Sequence, residues 1–301
     1  MATFTVTNIN DSGAGSLRTA ITNANKTVAK DIIKFATSTN GKTIQSNSVL
    51  NVTNPVDIIG NGTASTTVAG KSTFDTFAVQ KGTVTFQKLT ITKGNDNVDI
   101  TGNSTNVTLK DVVLSNAADD GFDLSGNTNT VTLDKVISKT NTETGVEIDG
   151  DNNKLTIKNS ELSGNKSPDG ALFLDQDGTK NTVTVSATKI INNNDDGVDI
   201  DSNDNILNFH GVTLTGNTDD GISVDGDRNK INFSSPKSPI NNKDCGIELK
   251  GKDNVLTGTK TQITFSGNPG GNITDLGSGN KISSLDRNEF LELIADRSVF
   301  F

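Results

Sequence analysis

Tryptophan and tyrosine are absent from the 301 residues, and cysteine, methionine and histidine occur once each. Cys245 has no partner in the chain, which excludes a disulfide scaffold. No run approaches the ~18 consecutive apolar residues of a membrane-spanning helix, so no membrane insertion is expected. Positive charge is also short: 27 Lys and Arg stand against 36 Asp and Glu, a net charge of −9 at pH 7. An excess of that sign repels nucleic-acid phosphates and anionic lipid, so neither is an expected partner. Phosphate loops, zinc-ligand spacings and nucleophile elbows are missing too. The nine-residue Ca²⁺-loop repeat is likewise absent.

What the chain has instead is Asp, Asn, Gly and a period. Thirty of the acids are Asp and six are Glu. A short side chain of this kind suits turns, and its carboxylate also suits Ca²⁺. An apolar–polar–apolar segment follows Gly121, Gly145, Gly197, Gly221 and Gly246, and less cleanly Gly170 and Gly271. Successive spacings from Gly121 are 24, 25, 27, 24, 25 and 25 residues, and the Gly-less segment Asn97-Val98-Asp99-Ile100 precedes the series.

Each period holds three strand-like pieces, such as Val198-Asp199-Ile200, Leu207-Asn208-Phe209 and Val212-Thr213-Leu214, separated by Asn, Asp and Gly turns. None can bury a face alone, so successive coils must stack. The expected fold is an all-β, right-handed parallel β-helix, a solenoid of about ten coils of roughly 24 residues with a helical N-terminal cap. At ~4.8 Å per coil the rod would be on the order of 50 Å long. Residues 1–60 read as cap and first coils, 61–283 as regular coils, and 284–301 as a C-terminal cap or secretion signal.

Phe122, Leu124, Val131, Leu133 and Val136 are the expected core of one coil, and Val146, Ile148, Leu155, Ile157 and Leu162 of the next. Phe86, Phe209, Phe233 and Phe265 fall at inward positions as well. Asn129, Asn153, Asn181, Asn205, Asn229 and Asn254 each stand two residues before a second strand, where stacked amides can form a ladder. At the N-terminus, Ser16 is placed to cap a short helix with Leu17, Ala20, Ile21 and Ala24 on one face.

Asp11-Ser12-Gly13-Ala14-Gly15-Ser16-Leu17-Arg18, followed by Ala20-Ile21, resembles the N-terminal cap of secreted bacterial right-handed β-helix proteins. The coils from 96 to 283 resemble those of the pectin-lyase-like superfamily. That fold hosts lyases, hydrolases, epimerases and non-catalytic adhesins, so the resemblance speaks to architecture before chemistry.

The outward position of the first strand reads Asp99, Asp123, Glu147, Leu172, Asp199, Ser223 and Glu248, with Leu172 as an apolar interruption. Asp149, Asp201 and Asp225 lie two residues further along, and the preceding turns supply Asp119-Asp120, Asp195-Asp196 and Asp219-Asp220. Like charges ~5 Å apart raise one another's pKa values or recruit a cation. Asp123, Glu147, Leu172 and Asp199 are therefore the candidate ligand-binding residues. The superfamily's lyases hold Ca²⁺ on first-strand carboxylates beside an Arg or Lys base. That resemblance would place Ca²⁺ on Asp199, Asp201, Asp225 and Glu248, with Asp199, Arg228 and Lys250 as the catalytic set of an enzyme.

Asp195-Asp196-Gly197-Val198-Asp199 is similar to the carboxylate elements of polygalacturonases, whose Gly-His-Gly and Arg-x-Lys motifs this chain lacks. His210 is expected in a turn away from the stripe, and alginate-epimerase chemistry would lack its usual Tyr. A further column, Thr85, Thr108, Thr132, Thr156, Thr184, Asn208, Asn232, Thr257 and Ser283, raises the alternative of ice binding.

These features point to an extracellular structural or surface-interaction protein, Ca²⁺-stabilised and associated with polysaccharide or cell-surface material. The alternative is a Ca²⁺-dependent polysaccharide lyase, hydrolase or epimerase. Met1-Ala2-Thr3 runs into a strand without a signal-peptide pattern, and 288–301 is similar to an uncleaved type I secretion signal. Export by that route is the expected localisation, with the cytoplasm as the alternative.

Overall fold

Triplets such as Phe122–Leu124, Val146–Ile148 and Val198–Ile200 alternate inward, outward and inward, and each is too short to be stable alone. They stack in parallel, coil on coil. The computed structural model describes residues 1–283, so the C-terminal cap or secretion signal read at 284–301 lies outside the described residues. Two parallel sheets, of nineteen and ten strands, wrap one apolar core, giving the right-handed β-helix solenoid that the period predicts.

The ten-stranded sheet takes the first strand of each coil. The larger sheet takes the second and third, which are less separate than the sequence suggests. In three coils they form one ten-residue strand, Thr83–Thr92, Asn106–Ser115 or Thr130–Lys139. Each bends at a single residue with left-handed φ: Lys88 at 56°, Asp111 at 52° and Lys135 at 56°. One such residue turns the chain through a corner without ending the strand.

Every expected core residue of the two coils named above is at most 1% exposed. Phe86, Phe209 and Phe233 are core as well and Phe265 packs against it part-buried: the Phe77 and Phe86 rings meet edge-on at 4.9 Å, and Phe209 and Phe233 stack at 5.1 Å. Burial of each such side chain contributes roughly 1.5–3 kcal/mol. At the N-terminal end the helix Leu17–Ala24 lays Leu17, Ala20, Ile21 and Ala24 over the core, and the Ser16 hydroxyl accepts the Thr19 N–H. Arg18 ties this cap down through Asp11, Ser46, Ser48 and Val49.

The expected Asn ladder is present, with a specific bonding pattern. The side-chain oxygen of each Asn accepts the main-chain N–H of its counterpart one coil earlier, from Asn129–Asn153 at 2.7 Å to Asn229–Asn254 at 2.7 Å. A second ladder that the sequence reading missed runs through Asn141, Asn165, Asn193, Asn217 and Asn242 at the other corner. There the amides also bond to one another, at 2.9–3.2 Å.

Candidate functional site

Strand pairing aligns the outward positions of the ten-stranded sheet into one file: Asp99, Asp123, Glu147, Phe173, Asp199, Ser223 and Glu248. Leu172 is thereby corrected. It pairs with Val146 and Val198, is fully buried in the core, and cannot line a ligand site. Phe173 holds the outward position and is 5% exposed. The cause is a one-residue offset: Ala171 pairs at the position of Gly145 and Gly197, while Gly170 lies one residue earlier.

The corner before the sheet carries a third ladder, made of carboxylates. Asp96 Oδ1 accepts the N–H of Asp120 at 2.9 Å, and Asp120 Oδ1 accepts both the N–H and the hydroxyl of Thr144 at 2.7 Å. After a break at the longer coil the pattern resumes, with Asp196 accepting from Asp220 at 2.6 Å and Asp220 from Cys245 at 2.7 Å. Asp96, Asp120, Asp196 and Asp220 are each no more than 8% exposed. The sequence reading placed Asp119-Asp120, Asp195-Asp196 and Asp219-Asp220 in this turn without finding that the second Asp of each pair is structural.

Crowding carboxylates out of water favours their protonated form. Burial, then repulsion from Asp199, lifts Asp196 to about 9. Burial, then Asp201 and Asp225, lift Asp199 to about 8. Burial lifts Asp220 to about 7, with Glu248 and Asp219 adding to it, and burial with Asp219 lifts Asp195 to about 6. Asp123 is raised well above the ordinary range by burial and by Asp99 and Asp149. Glu147 is raised by burial and by its hydrogen bond to Asp120.

The structure gathers part of the expected sets, with Asp199, Asp201, Asp225 and Glu248 near Lys250, and leaves Arg228 apart. Arg228 sits at a corner, about half exposed, with Nε and Nη2 on the two oxygens of Asp204 at 2.8 and 2.9 Å. That ion pair, rather than Asp199, engages its guanidinium. Lys250 does reach the face: its ammonium lies 3.0 Å from Glu248, 3.6 Å from Asp225 and 3.2 Å from the Ser223 hydroxyl. Burial works against its charge, but the Glu248 hydrogen bond and the Asp225 field prevail and raise its pKa. It therefore holds its proton, as a counter-ion does and a general base does not. Lys250 also occupies the space between Asp225 and Glu248 where a metal ion was expected.

Closely gathered carboxylates lie in the corner instead. Oxygens of Asp96, Asp119 and Asp120, of Asp195, Asp196 and Asp219, and of Asp219, Asp220 and Asp244 lie within 4.8 Å of one another in each group. Such oxygen donor sets match a hard cation such as Ca²⁺. Along the same face Asp123, Asp149 and Asp199 each have one buried carboxylate oxygen that accepts no hydrogen bond. Asp220, Cys245 and Glu248 also converge, and burial pushes the Cys245 thiol up to about 12.

His210 ends the strand Ile206–His210 of the larger sheet, where its Nδ1 meets the Ser234 hydroxyl, away from the acidic face. The Thr column is one register file, as expected, with Asn208 and Asn232 joined side chain to side chain at 3.1 Å.

The chain belongs to the right-handed β-helix family, whose family model, the right handed beta helix region, matches residues 77–237. No curated protein matches it. Among solved structures it is similar to pectate lyase Pel9A, at 13% identity and TM-score 0.55, over 95% of this chain and 78% of that one. It is also similar to an alginate lyase from Paenibacillus sp. str. FPU-7, at 12% identity and TM-score 0.51, over 94% and 99%. A third likeness is to tailspike protein 2 of Escherichia coli O157:H7 bacteriophage CAB120, at 12% identity and TM-score 0.60. That match covers 88% of this chain and 39% of the tailspike, so the chain spans well under half of that protein. At these identities the likeness is one of fold. Among the described residues no helix is long and apolar enough to cross a membrane.

Proposed function

We propose that this chain is an extracellular, polysaccharide-associated β-helix that works as a binding scaffold, with Ca²⁺ as the counter-ion of its acidic face. One observation carries this reading. The buried carboxylates Asp96, Asp120, Asp196 and Asp220 are engaged in holding main-chain N–H groups of the next coil. A side chain bonded in this way supports a rigid face and is a poor candidate for moving protons to and from a substrate. The cation nearest the face, Lys250, is likewise paired with Glu248 and Asp225. Polysaccharide is the favoured partner because a long, straight, polar face suits an extended polymer, and because the similar folds include a pectate lyase, an alginate lyase and a tailspike.

The test is incubation of the full chain with uronate and neutral polysaccharides, with and without Ca²⁺, following retained polymer, unsaturated ends and reducing ends together. Retention without turnover is the expected result. Unsaturated product that depends on Ca²⁺ would replace this reading with a lyase, and new reducing ends alone would replace it with a hydrolase.

A further inference from the structure

A cleft of about 580 Å³ opens at the corner before the ten-stranded sheet, near the N-terminal end of the acidic face. Its shape comes from missing side chains. In later coils the residue after each ladder asparagine is Thr142, Lys166, Asn194, Thr218 or Lys243. The ladder ends at Ala117, whose N–H donates to Asn141, and the next residue is Ala118. Ala118, beside the buried Ala117, leaves an open floor where other coils carry longer side chains. One wall is the short turn Lys71–Phe74, closed on itself by an antiparallel bridge.

Two cations line this cleft in a chain of net charge −9. Lys71 donates to the Asn47 side chain at 2.9 Å. Lys93 occupies a left-handed corner position, φ 64°, that Asn116, Thr140, Gly164, Asn192 and Gly216 occupy in the following coils. Ser72, Thr73 and Thr142 also line it, with the Thr142 hydroxyl donating to the Ala117 carbonyl at 3.0 Å.

We infer that this cleft is a subsite for a saccharide unit carrying one anionic group. The inference rests on the polysaccharide reading above and adds a place and a ligand class to it. The anion sits at the lysine end, where Lys71 and Lys93 offer ammonium donors. The ring lies over Ala118, which is small enough to admit it. Ring hydroxyls face Ser72, Thr73 and Thr142, and the chain's net charge of −9 disfavours a second anion.

Titration calorimetry of the full chain would use three probes: a short oligogalacturonate, a sulphated galactan oligosaccharide and a neutral maltooligosaccharide. Binding of one or both charged probes and not of the neutral one is expected, and their order identifies the anion as carboxylate or sulphate. Lys71→Ala with Lys93→Ala should weaken binding by at least about tenfold, equal to ~1.4 kcal/mol, with an unchanged melting temperature. Ala118→Lys separates shape from charge, since it fills the floor with the residue that Lys166 and Lys243 place at the same position while adding positive charge. Weaker binding by Ala118→Lys supports the cleft; equal or tighter binding overturns it, as do an unaffected double-lysine variant and a neutral probe that binds equally well. If whole polymers are still retained in those cases, the cleft fails and the scaffold reading stands. If the unmodified chain retains no polymer, both fail.

Discussion

Asp196 and Asp220, one coil apart, are joined by a 2.6 Å hydrogen bond from the main-chain N–H of Asp220 to Oδ1 of Asp196. Both side chains are buried, and the Asp196 carboxyl is raised to about 9. It is therefore largely protonated at neutral pH when folded and ionised when unfolded. Asp196→Asn keeps the acceptor and removes the need to take up a proton on folding. It should stabilise the chain at neutral pH by on the order of 1 kcal/mol in urea unfolding. Asp196→Ala leaves the Asp220 N–H buried without a partner and should cost about 1–3 kcal/mol. An Asn variant as unstable as the Ala variant would contradict this account.

The same physics sets the pH dependence of the whole face. Asp195, Asp220, Asp199 and Asp196 have folded-state values of about 6, 7, 8 and 9, all above the unfolded value near 4. The folded state therefore binds more protons across that window, and stability falls as pH rises from about 4 through about 9. Asp11, Asp151 and Asp204, whose values are lowered, contribute stability that is lost only below about pH 4. The melting temperature should peak in mild acid. Added Ca²⁺ should raise it at pH 8, where the carboxylates need a counter-ion, and leave it unchanged near pH 4.5. A melting temperature that rises steadily towards pH 8 without Ca²⁺ would contradict the electrostatics described above.

How much of this could be read from the sequence depends on whether a polar residue marked the phase. Val198-Asp199-Ile200 has one apolar–polar–apolar reading, so its register, core and outward acid were all legible. Leu172-Phe173-Leu174 is apolar throughout. Taking phase from Gly170 placed Leu172 outward, whereas Ala171 holds the glycine position and Phe173 faces out. The Asn129–Asn254 ladder was found because each Asn keeps a fixed offset from a strand with a clear pattern. Asn141, Asn165, Asn193, Asn217 and Asn242 recur as regularly, and that spacing was available in the sequence. The pairing of Arg228 with Asp204 was not, because it joins corner residues of adjacent coils whose side-chain directions depend on the left-handed backbone at each corner.

That missed ladder makes its own prediction. Asn217 accepts from the N–H and the amide of Asn193 and donates to Asn242 and to the Ile190 carbonyl, and it is fully buried. Asn217→Ala removes partners from both neighbouring coils and should cost about 2–4 kcal/mol by urea unfolding, as several buried groups lose their bonds together. Thr132→Ala, on the outward, half-buried file of the larger sheet, should cost less than about 1 kcal/mol. Equal costs would mean that the ladder adds nothing beyond strand packing.

Lys250 offers the most direct probe of whether the face accepts a cation. Its ammonium stands between Glu248 and Asp225 while remaining nearly half exposed, so the ion pairs themselves contribute only about 0–1 kcal/mol. Lys250→Met retains most of the side-chain bulk and removes the charge, leaving two carboxylates facing one another beside Ser223. In metal-free buffer at pH 8 this variant should melt slightly below the unmodified chain. With Ca²⁺ it should regain that loss and show a larger Ca²⁺-induced rise, because a divalent ion can then use oxygens that the ammonium had engaged. Calorimetric titration should accordingly show additional or tighter Ca²⁺ binding in Lys250→Met. If the variant and the unmodified chain respond identically to Ca²⁺, Glu248 and Asp225 are not cation ligands even when freed, and cation binding is confined to the corner carboxylates.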